Sequence, residues 1–596
     1  VDMLQVAERY ALDNPEIFSM EVWGGATFDV CMRFLQEDPW ERLALLRKAM
    51  PHTLTQMLLR GSNGVGYKAY PDNLIEKFVA QSWETGMDVY RIFDSLNWME
   101  SIAPAITYVR KHTGGLAEGS LCYTGDILDP TKTKYDLNYY VQLAKDIENA
   151  GAHILGVKDM AGLLKPYAAY ELISALKSTI KIPIHLHTHD TSSTQAAMYL
   201  KAIEAGVDVI DVALGGLSGL TSQPNFNSMV ELMRFHPRER EMNRASLAAH
   251  SDYWETVRQY YYPFESGLKA GTGAVYTHEI PGGQYSNLKG QAIALGLEDK
   301  FAEVTQMYGD VNQLFGDIIK VTPSSKVVGD MAQYLISNKY SIQDVWEKGH
   351  TMNFPDSVIS LFQGDLGQPV GGFPKDLQKI ILKDKVPYTE RPNAHMEPID
   401  FDKAYAEFLD KFQPGLDRDL QFTDFLSYSL YPKVFEDALA NYVRFGKVMN
   451  LPTKNFFFGM EPGEEIMIPL DRGKNILVSL MLKGVADANG NVPVYFKVNG
   501  QLRTLIVKDK RVKVEKKENR KAQTDQPLEV GAPLQGLLSQ VLVKQGENVK
   551  RNQPLFVIEA MKMETTVTAQ EAGSVAEVVL SAGELVQTDD LVLRLE

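Results

Sequence analysis

The sequence predicts an α/β fold class: a (β/α)8 TIM-type barrel with its first strand absent, then a helical region, a small α+β segment and a C-terminal all-β barrel. Two observations carry this. Up to about Gly216, short β-rich apolar runs alternate with amphipathic helical stretches, the pattern of a parallel sheet wound with helices. At the far end, residues 530–559 align without a gap on 567–596, matching Gly536 with Gly573, Val541 with Val578, Gly546 with Gly583, Val549 with Val586 and Glu559 with Glu596. A repeat this short implies two similar halves packed on one core.

Seven runs read as barrel strands: Phe18–Trp23, Thr55–Arg60, Asp88–Phe93, Glu118–Thr124, His153–Lys158, Ile182–Thr188 and Val207–Ala213. Helices fall between them, such as DNLIEKFVAQSWETG and NYYVQLAKDIENAG, the latter stopping at Gly151. This barrel type needs eight strands. The opening VDMLQVAERYA reads as a helix, so strand one is expected before residue 1 and the chain is expected to be a fragment.

Beyond the barrel, roughly 217–425 is mostly helical by pattern, with Gly-Pro breaks such as GGFPKD. From about 455 to 508 the runs EEIMIPL, NILVSLMLKGVA, VPVYFKVNG and QLRTLIVKD alternate like antiparallel strands, with a turn at Asn489-Gly490. The Lys/Arg-rich KDKRVKVEKKENRKAQ then reads as a solvated flexible tether. In the C-terminal repeat, alternating strands and Gly turns make a small flattened β-barrel, with Lys562 displayed on the hairpin that joins the halves. Most turn lysines are merely solvated. Flanking Met561 and Met563 on an exposed turn suit instead a surface that a modifying enzyme recognises.

Composition narrows the function classes. A chain of 596 residues, 44% hydrophobic and 23% charged, is ordinary globular protein of several domains. Lys+Arg 61 against Asp+Glu 76 leaves a net charge of −15, which gives a nucleic-acid role no electrostatic support. No apolar run has transmembrane length, nothing reads as a secretory leader, and no membrane role is expected. Two cysteines, Cys31 and Cys122, make no disulfide framework in so long a chain, which fits a reducing compartment.

In such a barrel the chemistry gathers at the carboxyl ends of the strands. Arg60 ends the second run, Asp94 follows the third, Lys158 and Asp159 close the fifth, and His187 and His189 close the sixth. Two imidazoles two residues apart lie on one side of a strand, where both can reach one metal ion or both can be satisfied by hydrogen bonds. His185 shares that parity but lies deeper and reads as an interior packing group. Lys158 at a buried strand end is unusual, because a free ammonium there is poorly solvated and repels a cation. Carboxylation of the amine would turn it into an anionic oxygen ligand; an ion pair with Asp159 or a glutamate fits equally.

Two resemblances enter on specific residues. EAMKMET, Glu559 to Thr565, resembles the attachment motif of biotinyl carrier domains, with APLQG at Ala532–Gly536 in place of their Pro-Gly-rich turn; lipoyl domains carry Asp-Lys-Ala instead. EVWGGATFDV (Glu21–Val30), MLLRGSNGVGY (Met57–Tyr67), VKDMAGLLKP (Val157–Pro166), HTHDTS (His187–Ser192), PGGQYSNL (Pro281–Leu288) and VTPSSK (Val321–Lys326) resemble the carboxyltransferase module of the pyruvate carboxylase family. Transcarboxylase and oxaloacetate decarboxylase subunits are related to it and supply the alternative activity. The resemblance covers nearly the whole chain.

It implies a carboxyltransferase barrel over 1–285, a helical funnel over 286–425, a tetramerisation-like domain over 426–508, a basic linker over 509–526 and a biotinyl carrier domain over 527–596. It implies a divalent metal, Mn or Zn, held by His187, His189 and a carboxylated Lys158, with a fourth ligand, an Asp, on the strand expected before residue 1. Arg60 then anchors the pyruvate carboxylate, Asp29 and Tyr67 line the biotin pocket, Ser325 and Lys326 lie at the same mouth, and biotin is attached to Lys562. Thr322 becomes a proton shuttle, although before Pro323 it also reads as an ordinary helix cap. The implied reaction is carboxyl transfer from carboxybiotin to pyruvate, giving oxaloacetate, with ATP used only in a part outside this chain. Biotin protein ligase, a homotetramer and an acyl-CoA activator are the implied partners. The implied location is the cytoplasm, or alternatively the mitochondrial matrix.

Overall fold

The computed structural model describes residues 2–265, 267–471, 473–487, 489–509, 519–523, 528–560 and 563–596. Seven parallel strands lie side by side in chain order: β1 (Ser19–Gly24), β2 (Leu54–Leu59), β3 (Val89–Ile92), β4 (Leu116–Cys122), β5 (Ile154–Asp159), β6 (Ile184–Thr188) and β7 (Val209–Ile210). Helices fill the intervals, and the sheet curls as a TIM-like half-barrel. Among the described residues no ladder pairs β7 with β1. β3, β5 and β6 are buried along their whole length, as strands covered on both faces should be.

All seven expected strands are present with small end shifts; the seventh is shorter than the expected Val207–Ala213. Its neighbours Asp208 and Asp211 still donate backbone bonds to Ile184 and Leu186, so β7 is held in place although its ladder is short. Local signals set the helix ends. Asp38 accepts from Trp40 N and Glu41 N to start the helix Pro39–Ala49, and Asp136 accepts from Tyr139 N to start Leu137–Asn149. That second helix stops at Gly151, whose φ of 95° suits glycine.

Two large apolar cores lie side by side. One fills the barrel and its surrounding helices, the other joins helices between Gly282 and Leu382 with Leu96. The helices Phe401–Phe412, Phe422–Leu430 and Pro432–Phe445 return to the barrel, where Phe408, Phe425, Leu426, Leu430 and Phe435 share its core. Arg391 grips Asp72 with two bonds of 2.5 and 2.8 Å just before they return. The helical region after the barrel is thus divided between two cores.

A four-stranded antiparallel meander follows, β8 (Glu465–Asp471), β9 (Lys474–Lys483), β10 (Asn491–Val498) and β11 (Gln501–Lys508). Asn499-Gly500, both with positive φ (48° and 82°), make the tight turn between its last two strands. In the C-terminal domain the repeat is explicit: the strands beginning at Gly536, Asn548 and Pro554 recur at Gly573, Leu585 and Leu591. They form two four-stranded sheets that the repeat maps onto each other. Gly546 and Gly583 occupy equivalent turns with φ of 83° and 95°.

Candidate active site

Adjacent strand ends bring Lys158 beside His187, its register partner across the β5–β6 ladder. His187 Nε2 and His189 Nε2 are 3.2 Å apart. Their other nitrogens face acceptors: His187 Nδ1 lies 2.7 Å from Asp211 Oδ2, and His189 Nδ1 lies 2.6 Å from the Thr221 carbonyl. Each Nδ1 therefore donates, and both Nε2 lone pairs meet. Two donor atoms bound tetrahedrally to one cation at about 2.0–2.1 Å stand about 3.3 Å apart. The imidazoles have that spacing. Burial, reinforced by Lys158, holds His187 well below the ordinary histidine range, and burial takes His189 down to about 4. Both are neutral at pH 7, as metal ligands must be.

Lys158 is fully buried and among the described residues its Nζ has no hydrogen-bond partner, standing 4.8 Å from the Phe93 ring centroid. Burial, then the nearby Arg91 charge, lowers its pKa. Pairing with Asp159 is not made: that carboxylate accepts from Leu163 N at 2.8 Å, Leu164 N at 2.9 Å and Thr188 Oγ1 at 3.0 Å. Among the described residues no three His, Cys, Asp or Glu side chains are arranged to hold a metal ion, and the side chain across the ladder from His187 is Lys158. An orphaned amine next to two lone pairs at ligand spacing fits a divalent cation.

His185 is more than a packing group, which corrects the expectation from its depth in the strand. Its Nδ1 lies 2.8 Å from Glu118 Oε2 and its Nε2 2.7 Å from Asp211 Oδ1. Arg91 completes the group, donating from Nε to Glu118 at 2.5 Å and from Nη1 to Asp211 at 2.5 Å. Burial would neutralise His185, but Glu118 and Asp211 outweigh it and raise the imidazole to about 9. The sequence signal existed: Arg91, Glu118 and Asp211 each interrupt an apolar strand run, and a charge inside a strand demands a partner.

A second group forms at the end of β2. Arg60 is buried, and the loop after it folds back so that Nη1 donates to the Val65 carbonyl and, at 3.2 Å, to Gly66 O. Tyr67 stacks on the guanidinium, 4.7 Å from ring centroid to Cζ. A Cβ on Gly25 would meet Arg60 Nη1 at 2.1 Å, so a side chain there would displace the guanidinium. Tyr431, from beyond the helical region, donates to the same Val65 carbonyl at 2.5 Å. It was not foreseen, since nothing local relates it to Arg60. Asp29 is buried and takes a bond of 2.9 Å from Arg33 Nε.

Thr322 does not cap the helix Ser324–Ser337, which begins after Pro323 without a side-chain cap bond. Among the described residues its hydroxyl has no hydrogen-bond partner. Ser324 anchors this turn instead: its Oγ lies 2.7 Å from Ile319 O, 2.8 Å from Val321 O and 3.2 Å from Ser95 O at the end of the β3 loop. Ser325 Oγ is buried without a partner, and Lys326 pairs with Asp330 at 2.6 Å. Lys562 lies outside the described residues, between Ala560 and Met563, which pair across their strands. A cavity of about 600 Å³ lies elsewhere, lined by residues including Asp38, Phe435 and Tyr442, and holds none of these groups.

Family models match three stretches: "Conserved carboxylase domain" over residues 275–479, "Biotin-requiring enzyme" over 528–595 and "HMGL-like" over 96–253. The chain is 52% identical over 595 residues to pyruvate carboxylase of Bacillus subtilis, covering 100% of itself and 51% of that protein. It is 41% identical over 598 residues to the human mitochondrial pyruvate carboxylase, covering 50% of it. The chain therefore spans about half the length of these relatives. The carboxyl transferase domain from Rhizobium etli pyruvate carboxylase, in a structure with pyruvate and biocytin, superposes with a TM-score of 0.81 at 48% identity, over 85% of each chain. At 48% identity over 85% of that carboxyl transferase domain, this chain belongs to the pyruvate carboxylase family, of which it carries the carboxyltransferase part.

Proposed function

We propose that this chain transfers a carboxyl group from biotin to pyruvate, giving oxaloacetate. The observation that carries the reading is the partnerless, buried Lys158 amine beside two imidazole lone pairs at the spacing of two ligands of one ion. We take Lys158 to be carboxylated, which turns an unfavourable buried ammonium into an anionic ligand. His187, His189 and Lys158 then hold a divalent cation, Mn or Zn, which would supply Lewis acidity toward the substrate carbonyl. Biotin, attached at Lys562, supplies the carboxyl group.

The remaining work falls to side chains of this chain. Arg60, held rigid by its loop and by Tyr67, binds the pyruvate carboxylate through a planar pair of donors. Its charge in a water-poor site also favours the enolate over the keto form of pyruvate. The Thr322 hydroxyl, uncommitted to any described neighbour, takes the pyruvate methyl proton and passes its own to the biotin ring nitrogen that has given up its carboxyl group. Asp29, Tyr67, Ser325 and Lys326 shape the place where the biotin ring enters.

The linker over 509–526 joins the carrier domain over 527–596, which would bring biotin to this site and to a second, ATP-using one outside this chain. Within the linker, 510–518 and 524–526 lie outside the described residues, while Arg520, Lys521 and Ala522 bond to Leu591, Asp590 and Asp589 of the C-terminal domain. Biotin protein ligase would modify Lys562, and a homotetramer and an acyl-CoA activator complete the proposed assembly. Buried, unpaired Cys31 and Cys122 support a reducing compartment, which the cytoplasm supplies; among the described residues no helix is long and apolar enough to cross a membrane.

Isotope exchange between labelled pyruvate and oxaloacetate in the intact protein tests the reading. Exchange that avidin abolishes is expected. Exchange that is absent, or that survives avidin, rejects biotin-dependent transfer to pyruvate.

A further inference from the structure

Behind the paired histidines lies a closed ring of four buried or nearly buried charged groups. Arg91 on β3 donates to both Glu118 on β4 and Asp211 after β7, at 2.5 Å each. His185 on β6 bridges the same two carboxylates, 2.8 Å to Glu118 Oε2 and 2.7 Å to Asp211 Oδ1. Each carboxylate thus faces one guanidinium nitrogen and one imidazole nitrogen. Asp211 has a further neighbour, His187 Nδ1 at 2.7 Å from Oδ2.

The hydrogen-bond count settles direction. A carboxylate that receives Arg91 on one oxygen and His185 on the other has only acceptor capacity left. Arg91 Nη1 also stands 3.4 Å from His187 Nδ1, but the Asp211 carboxylate is nearer at 2.7 Å and can only accept, so Nδ1 carries the proton and the lone pair sits on Nε2. His189 reaches the same tautomer by a different device, the Thr221 backbone carbonyl at 2.6 Å. No side-chain substitution removes that carbonyl, whereas the hold on His187 rests on one carboxylate. We propose that Asp211 is a positioning residue that fixes the Nδ1–H tautomer and ring orientation of His187, with Arg91, His185 and Glu118 holding the Asp211 carboxylate in place. Its negative charge behind the ring also makes Nε2 a stronger donor. Strands β3, β4 and β6 and the end of β7 each contribute a member, so the barrel backbone fixes the ring and His187 cannot turn without breaking it. The inference rests on the reading of His187 and His189 as metal ligands.

Co2+ binding to the metal-stripped intact protein tests it, read by titration and by visible absorption at saturation. Asp211→Asn keeps the shape but sets an amide N–H among donors, so Co2+ affinity is expected to fall about 10–100-fold and the saturated spectrum to shift. Asp211→Glu, which restores the carboxylate, should recover part of the affinity and the parent spectrum. A merely structural role would leave the spectrum of the saturated site unchanged. Asp211→Asn with parent affinity and parent spectrum overturns the proposal. Should that variant fail to fold, Glu118→Gln, which loosens Asp211 through His185, is expected to weaken Co2+ binding and shift the spectrum; parent behaviour there overturns the proposal as well. His189→Ala separates the two layers: if it binds Co2+ as tightly as the parent, or if the parent binds none, the metal reading itself falls.

Discussion

Thr566 Oγ1 donates to Asp356 Oδ2 at 2.6 Å, tying a strand of the C-terminal repeat domain to the first turn of the helix Asp356–Gln363. Thr568 Oγ1 meets Asn353 Oδ1 at 3.1 Å, and Asn552 Nδ2 meets Asp384 Oδ2 at 3.1 Å. Among the described residues the C-terminal domain thus meets the helical region through these polar bonds and through Leu295, which packs against its core. Asp356→Ala removes the bond from Thr566 Oγ1 and a longer one from Thr566 N at 3.4 Å, and should lower carrier-dependent turnover about 5- to 30-fold, at about 1 kcal/mol per bond. Decarboxylation of oxaloacetate supported by free biotin should be unchanged. If both rates fall together, Asp356 serves the barrel site and not the docking contact.

Arg60→Lys keeps the charge but loses the planar pair of donors, so the KM for pyruvate should rise about 10–100-fold with a smaller change in kcat. Tyr431→Phe removes the bond to Val65 O that steadies the Arg60 loop, together with the hydroxyl's contact with the guanidinium, and a smaller rise in KM is expected. Steady-state kinetics over a pyruvate series measures both. An unchanged KM in Arg60→Lys would place the carboxylate anchor elsewhere.

Lys158→Met keeps the volume and removes a buried amine that has no partner. The metal-free variant should be more stable than the metal-free parent by about 1–3 kcal/mol, while metal content falls to background. The sign of the pH effect follows from the lowered pKa of this lysine. The unfolded chain holds its proton up to about 10.4, so the lysine's contribution to stability rises with pH toward that value, a rise the variant lacks. Thermal melting at pH 7 and 9 with elemental analysis measures both; full metal retention would remove Lys158 from the ligand set.

Asp94 and Asp159 are both buried and both raised to about 6 by that burial, yet they should respond oppositely to Asn. With an unfolded value of about 3.9, each folded carboxyl binds more proton between pH 4 and 6, so each contribution to stability is lost as pH rises through that window. Asp94 uses one oxygen, Oδ1, for both Leu96 N at 2.8 Å and Trp98 N at 3.0 Å, and an amide oxygen can take over both. Asp159 uses both oxygens for the two backbone donors after it. Asp94→Asn should therefore stabilise the protein at pH 7.5 by about 1–3 kcal/mol, and Asp159→Asn should destabilise it by a similar amount. Denaturant midpoints at pH 5 and 7.5 decide; equal shifts would mean that burial alone governs both sites.

What was legible from the chain was whatever local spacing encodes. The seven strands, the helices between them and the C-terminal repeat follow from period-2 and helical patterns with Gly and Asp at the ends. The shared face of His187 and His189 follows from strand parity alone. So does the oddity of Lys158, since a lysine in an apolar strand has no local solution to its charge.

Tertiary structure alone decided which groups answer those charges. Arg91, Glu118, His185 and Asp211 come from four separate places along the sheet and meet because the sheet curls. Tyr431 reaches Arg60 from across the molecule, and the helices from Phe401 to Phe445 join the barrel core and not the one beside it. That, among the described residues, Lys158 pairs with no carboxylate and Thr322 leaves its hydroxyl uncommitted are likewise outcomes of packing. The sequence by itself determined element type and strand face, because backbone periodicity acts over a few residues. Partner choice belongs to the folded molecule, because a buried charge is satisfied by whatever the packing brings within about 3 Å.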